Sequence, residues 1–204
     1  QDVVWAEPPD RDEAGSPNTL GAIAFAAAIQ QLDSIGMDQV AEHEAQLTAY
    51  ALRKLAKISG IRIYGDADPD RAHDRLGVIP FELEGISHFL VAAVLGYEFG
   101  IGVRSGCFCA HPYILHLLGL TPQEADDVRD TMLAGDKSHM PGMVRASFGL
   151  YNTLEDIDAL FDALIRIQRR EFSGRYTQER STGAYEPEGW VPSFEKSYPL
   201  TTTD

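Results

Sequence analysis

The spacing of hydrophobic positions changes along the chain, and each change marks an element boundary. Leu20, Ile23, Ala24, Ala27, Ala28 and Leu32 recur at helical intervals, with alanines that permit close packing. Gly36 breaks this run, and a second helix carries Val40, Leu47, Ala51, Leu55 and Ile58 on one face before Ser59-Gly60 ends it. His43, between Glu42 and Glu44, reads as a solvated helix residue. The period then falls to two in Ile61-Arg62-Ile63-Tyr64 and again in Ile79-Pro80-Phe81-Glu82-Leu83-Glu84, with a charged loop over 65–75 between them. Pro80 lacks an N–H, which predicts an edge strand or a bulge there. Ser87 predicts the cap of a short helix through Leu95, closed by Gly96 and Gly100, and a further strand is expected at Ile101.

A short helix is expected from Tyr113 to Leu118, ending at Gly119. Thr121-Pro122-Gln123-Glu124 is a strong helix start, with a cap, proline at the first position and Glu three after the cap; that helix ends near Gly135. A polar loop over 136–141 leads to a strand from Met143 to Leu150. Asn152-Thr153 then cap a last amphipathic helix with Ile157, Leu160, Phe161, Leu164 and Ile167 on one face. Residues 171–204 hold Tyr176, Tyr185, Trp190, Phe194 and Tyr198 with neither period, as expected of an irregular tail strapped onto a neighbouring surface. Strands alternating with helices imply a small open α/β sheet with helices on it.

At 204 residues the chain holds one substantial domain plus an appendage, and 44% hydrophobic with 24% charged residues is the balance of a soluble globular protein. No apolar run approaches the length of a membrane span; 89–95 is the longest of note. Seventeen Lys plus Arg against 31 Asp plus Glu give a net charge of −14, which argues against nucleic acid or an anionic membrane as partner. One or two local arginines can still hold a small anion. The start, Gln1-Asp2-Val3-Val4-Trp5, has neither a signal-peptide pattern nor an initiator Met, and is expected to be cut from something longer. Two cysteines cannot make a disulfide framework, a Cys-x-Cys bridge is strained, and the set is poor for zinc, so a reducing, cytoplasmic setting is expected.

Chemistry concentrates in the stretch from Ile101 to Pro112, read as an apolar strand, a Ser105-Gly106 turn, both cysteines, and His111-Pro112 opening a helix. Arg104 lies within sequence reach of both thiols, and a cation or a helix start favours the nucleophilic thiolate. Cys107 and Cys109 equally suit two small side chains packing a buried strand end. Near the N-terminus, three prolines (Pro8, Pro9, Pro17) lie in a polar, extended stretch ending in Glu13-Ala14-Gly15-Ser16-Pro17-Asn18. There Ser16 suits either helix capping or an anion held by backbone amides and a hydroxyl.

Taken in order, Glu13-Ala14-Gly15-Ser16-Pro17-Asn18, Arg104-Ser105-Gly106-Cys107-Phe108-Cys109-Ala110-His111-Pro112 and Arg145-Ala146-Ser147-Phe148-Gly149-Leu150-Tyr151-Asn152-Thr153 resemble the C-terminal part of class V aminotransferase-like enzymes. The nearest branch is the cysteine desulfurase and selenocysteine lyase group, and the likeness covers roughly residues 12–170. It implies an α+β small domain, a mostly antiparallel sheet with helices on one face, belonging to a fold type I, pyridoxal-phosphate homodimer acting on a small amino acid. Arg145 resembles the arginine that pairs with the substrate α-carboxylate, Arg104 the arginine at the mouth of the thiol loop, and Cys109 the cysteine that attacks substrate sulfur and carries the persulfide. Ser16 resembles the hydroxyl that reaches the cofactor phosphate of the partner subunit. Gly106-Cys107-Phe108-Cys109 stands where Gly-His-His-Cys is typical, and the 136–141 loop is longer than that branch needs. An aminotransferase- or epimerase-like activity, a cofactor-free sulfur carrier and a dimerisation module therefore remain alternatives. The resemblance places the Schiff-base lysine ahead of residue 1, and Lys54, Lys57, Lys137 and Lys196 lack its sequence context. The expected organisation is a remnant of the large cofactor-binding domain over 1–17, the small domain over 18–170 and the tail over 171–204, with the chain inactive by itself.

Overall fold

The computed structural model describes residues 3–13 and 15–191; Phe194, Tyr198 and Lys196 of the sequence reading lie outside them. The chain divides into two compact units, Gln1–Glu42 and His43–Asp204. The first holds helix α1 (Thr19–Ile35), started by the Asn18 side chain accepting from the Gly21 N–H and ended at Gly36. None of its residues is buried, so its alanines pack against nothing within that unit.

The second unit is built on a four-stranded sheet of β1 (Ile61–Ile63), β2 (Val78–Leu83), β3 (Arg104–Gly106) and β4 (Met143–Ser147), in the order β1-β2-β4-β3. All three pairings are antiparallel. Helices α2 (Met37–Leu55), α3 (His88–Phe99) and α6 (Leu154–Gln168) supply the main core with Leu47, Leu52, Leu55, Val91, Leu95, Leu160 and Leu164. These meet Ile79, Phe81, Leu83, Val144 and Ala146 of the sheet, the alternate positions of β2 and β4. The architecture is the expected α/β one, with the main helices on one face. Two shorter helices, α4 (His111–Leu118) and α5 (Pro122–Leu133), lie between β3 and β4 in the chain. A smaller cluster of Tyr64, Cys107, Ile114 and Met143 joins α4 to the sheet.

Several local expectations are corrected. Pro80 sits in an interior strand, where its missing N–H falls at the end of the β1 pairing. In an antiparallel strand the N–H and C=O of one residue point to the same side. The Pro80 carbonyl accepts from the Tyr64 N–H at 2.9 Å, so the absent donor would have met the Tyr64 carbonyl, and only that one reciprocal bond just past β1 is lost. His43 is half-buried rather than solvated, its Nε2 donating to the Asn152 carbonyl at 3.0 Å. Helix α3 runs past Gly96 to Phe99 and closes on left-handed Gly100. The tail is not irregular throughout: β5 (Tyr176–Gln178) and β6 (Tyr185–Pro187) form a hairpin, too short to show a period in sequence.

That hairpin is strapped down as its aromatics implied. Glu98 of α3 accepts from the Ser173 N–H and hydroxyl, both at 3.0 Å, the Gly174 N–H at 2.9 Å and the Tyr176 hydroxyl at 3.1 Å. Tyr97 packs on Tyr176 and on Trp190. At its other end Arg180 pairs with Asp136, and the Gln178 amide donates to the Ser138 carbonyl.

Candidate active site

The site is assembled on the sheet face that α2, α3 and α6 leave open. Pro80, Arg145 and Arg104 are register partners across β2, β4 and β3, so the three side chains share that face. Arg104 and Arg145, expected together from motif alone, are thus direct cross-strand neighbours. The Ser105-Gly106 pair read as a turn is instead part of β3, because Ser105 pairs with Val144 and Gly106 with Met143. Gly142 permits this closeness: a Cβ there would lie 2.6 Å from the Gly106 Cα.

Two guanidiniums directly opposite one another repel, by roughly 0.2–1 kcal/mol for an exposed like-charge pair. Arg104 is exposed and Arg145 half-buried. The Nε of Arg145 is buried without a hydrogen-bond partner, and no carboxylate among the described residues pairs with either arginine. The Phe108 ring lies close by, its centroid 5.1 Å from the guanidinium carbon of Arg145. Guanidiniums left in this state can bind an anion with two acceptor atoms, such as a carboxylate.

Beyond β3 the loop separates the two thiols. Phe108 and Cys109 adopt φ of 53° and 60°, a left-handed conformation that costs non-glycine residues about 1–2 kcal/mol each. The turn sends Cys107 inward and leaves Cys109 exposed. The Cys107 thiol donates to the Pro141 carbonyl at 3.1 Å, and burial pushes its pKa up, away from the nucleophilic form. The packed reading therefore describes Cys107, and Cys109 is the thiol left open to solvent. Just after them Pro112 opens α4, whose N-cap, Ala110, makes no side-chain cap bond. A cleft of about 830 Å³ between α4 and α5 touches the loop through Cys107 and takes in neither Arg145 nor Cys109.

Beneath the 136–141 loop, His88 is buried, its Nε2–H donating to the Met140 carbonyl at 2.9 Å. Burial lowers its pKa, the Met140 bond opposing. Ser16 lies in the first unit, exposed and two residues ahead of the α1 cap, which is Asn18. Among the four candidates the structure groups Arg104, Arg145 and Cys109 on one sheet edge and its loop. Phe108 was missed in sequence because an aromatic between two cysteines carries no spacing signal; only the fold brings Arg145 over it.

A pyridoxal-phosphate site can be tested against this geometry. The Arg145 guanidinium, engaged by no hydrogen bond or carboxylate among the described residues, is compatible with the carboxylate end of an amino-acid substrate. The described lysines are placed otherwise. Lys54 pairs with Asp158 at 2.6 Å under the rings of Tyr50 and Phe161, and Lys137 lies in the loop tied to Arg180. The open sheet face of the second unit is compatible with the substrate end of such a site, while Lys54 and Lys137 are engaged elsewhere.

Comparison with known proteins agrees with this picture. The class-V aminotransferase family model matches residues 1–160. A cysteine desulfurase of Salmonella agona (strain SL483) is 37% identical over 169 residues, covering 83% of this chain and 35% of that protein. The cysteine desulfurase of Salmonella typhimurium is matched to the same extent. Among solved structures, the apo cysteine desulfurase of Thermococcus onnurineus NA1 superposes with a TM-score of 0.63 at 30% identity over 83% of this chain and 37% of that one. The Escherichia coli cysteine desulfurase CsdA, in its S-sulfonic acid form, gives 0.60 at 27% identity, covering 85% and 37%. The chain spans about a third of the length of the curated relatives it matches. With its sheet, its motifs and the family model in agreement, the chain belongs to the class V aminotransferase family.

Proposed function

We propose that this chain is the C-terminal part of a pyridoxal-phosphate enzyme that removes sulfur from cysteine. It supplies the substrate-carboxylate clamp and the sulfur-accepting thiol. Family membership implies pyridoxal phosphate; the choice of cysteine rests on the relatives' names and on one observation. That observation is an exposed Cys109 on the loop that follows β3, the strand whose Arg104 lies across the ladder from the half-buried Arg145. In this reading residues 1–17 belong with the large cofactor-binding domain, 18–170 form the small domain and 171–204 its tail. The enzyme is a cytoplasmic homodimer, in which Ser16 reaches the cofactor phosphate of the partner subunit.

The cofactor, when bound, serves as the electron sink at the substrate α-carbon. Arg145 binds the α-carboxylate through two N–H donors, and Arg104 adds a second positive charge at the mouth of the loop. The Cys109 thiolate attacks the substrate sulfur, forming an S–S bond as the S–Cβ bond breaks. The electron pair of that bond stays with the carbon skeleton, which takes up a proton, and Cys109 is left as a persulfide. Cys107, buried and hydrogen-bonded to Pro141, stays out of the reaction.

The test is sulfide release from L-cysteine by the full-length protein under reductant. Cys109→Ala should abolish it, and Cys107→Ala should leave it within about two-fold, because surface thiols react and buried ones do not. Arg145→Ala should keep cofactor loading and cost about 2–4 kcal/mol in kcat/KM for cysteine. Equal activity in the two cysteine variants would remove sulfur transfer and leave an aminotransferase- or epimerase-like enzyme.

A further inference from the structure

The residue between the two cysteines has no part in the mechanism above, yet it touches both halves of the site. Phe108 packs on the small cluster of Tyr64, Cys107, Ile114 and Met143, which fixes its ring. The Arg145 guanidinium carbon lies 5.1 Å from the centroid of that ring. Its backbone is held left-handed, at φ 53°, a conformation an aromatic residue adopts only where its surroundings impose it.

An arginine that must grip a carboxylate has to be held without using the donors that do the gripping. A protein carboxylate would hold it and consume them. An aromatic ring attracts the cation through its face and leaves the N–H edges free. Arg145 meets that requirement, since no hydrogen bond and no carboxylate among the described residues engages its guanidinium. A long side chain held in advance loses less freedom when ligand arrives.

We infer that Phe108 is a positioning residue for substrate binding: its ring pre-orients Arg145 for the α-carboxylate of the amino acid. This rests on the reading of Arg145 as the carboxylate partner. Phe108 touches no reacting atom and acts through Arg145 alone.

The experiment is calorimetric titration of the full-length protein with L-alanine, which keeps the carboxylate and ammonium of the substrate and lacks its sulfur. Phe108→Leu keeps the apolar volume and loses the ring face; it should weaken alanine binding about ten-fold. Phe108→Tyr keeps the face and should stay within about two-fold of wild type. In an Arg145→Gln background the Leu substitution should add less than about two-fold, because the group it orients is gone. Equal losses for Leu and Tyr, or a full ten-fold loss retained in the Arg145→Gln background, would overturn the inference while leaving Arg145 in place. Unchanged alanine affinity in Arg145→Gln would overturn the carboxylate reading and this inference with it.

Discussion

Two identical side chains two positions apart meet opposite fates in this protein, and the backbone between them decides which. An extended strand would send Cys107 and Cys109 to the same side. The left-handed pair at Phe108 and Cys109 sends them apart, so one thiol is 4% exposed and the other lies on the surface. Iodoacetamide at neutral pH should therefore label Cys109 at least ten-fold faster than Cys107, read by peptide mass mapping at timed intervals. Equal rates would mean that the loop does not hold the conformation described. At this scale sequence motifs located Arg104, Arg145 and Cys109, because residue type and local order carry that information. They did not reveal that the two arginines face each other or that Phe108 lies against one of them. Both facts depend on strand register, which is set by residues some forty positions apart.

The elements divide in the same way. Helices with their own start signals were legible: Thr121 with Glu124, and Thr153 with Asp156, form the capping boxes that open α5 and α6. The strand β3 and the β5–β6 hairpin were not, since these short elements carry no clear period and owe their form to their partners. The hairpin has a specific weakness. At Glu98 burial pushes the carboxyl up, but the Ser173 and Gly174 N–H groups and the Ser173 and Tyr176 hydroxyls outweigh it and hold the pKa below its ordinary value. Asp136 is lowered too, by the Ser138 hydroxyl first and then by Arg180. Groups whose pKa is depressed by folding stabilise the fold above the ordinary carboxylate value of about 4 and cease to do so as pH falls through the folded values. The hairpin should thus detach on acidification below about pH 4 and be insensitive to pH between 6 and 8. Trp190 against Tyr97 provides the probe, in a Trp5→Phe background that removes the other tryptophan. A Glu98→Gln variant should blunt the acid transition; a full transition in that variant would shift the cause elsewhere.

The scale of the whole molecule is where sequence said least about contacts, because they involve surfaces that leave no local mark. The apolar spacing of α1 reads as a buried face, yet Leu20 is 82% and Phe25 68% exposed, with Ile23 and Ile29 also exposed. Leu20 and Ile23 lie on one side of this helix and Phe25 and Ile29 on the opposite side, so apolar surface faces solvent around much of it, as on a helix that seeks a partner. The 204-residue chain by itself should associate as its concentration rises, seen by sedimentation velocity, and Phe25→Glu should reverse much of that association. A chain that stays monomeric at all concentrations would refute this. The fold class, by contrast, was legible from the order of strands and helices, since a small sheet needs a helix layer to bury one face.

The cross-strand pairing of Arg104 with Arg145 has one more consequence, set by the field of the molecule rather than by contact. A chain with net charge −14 repels free anions, and its two opposed guanidiniums make a local reversal of sign. An amino acid at neutral pH is a zwitterion, so this field exerts little net force on it and instead a torque. The dipole is turned carboxylate-first toward the arginines before it touches them, with the ammonium end trailing toward the acidic surroundings. Simple dianions of similar size meet the repulsion without that compensation. The acidic surface thus acts as an orienting filter, admitting molecules whose two charges are carried at opposite ends.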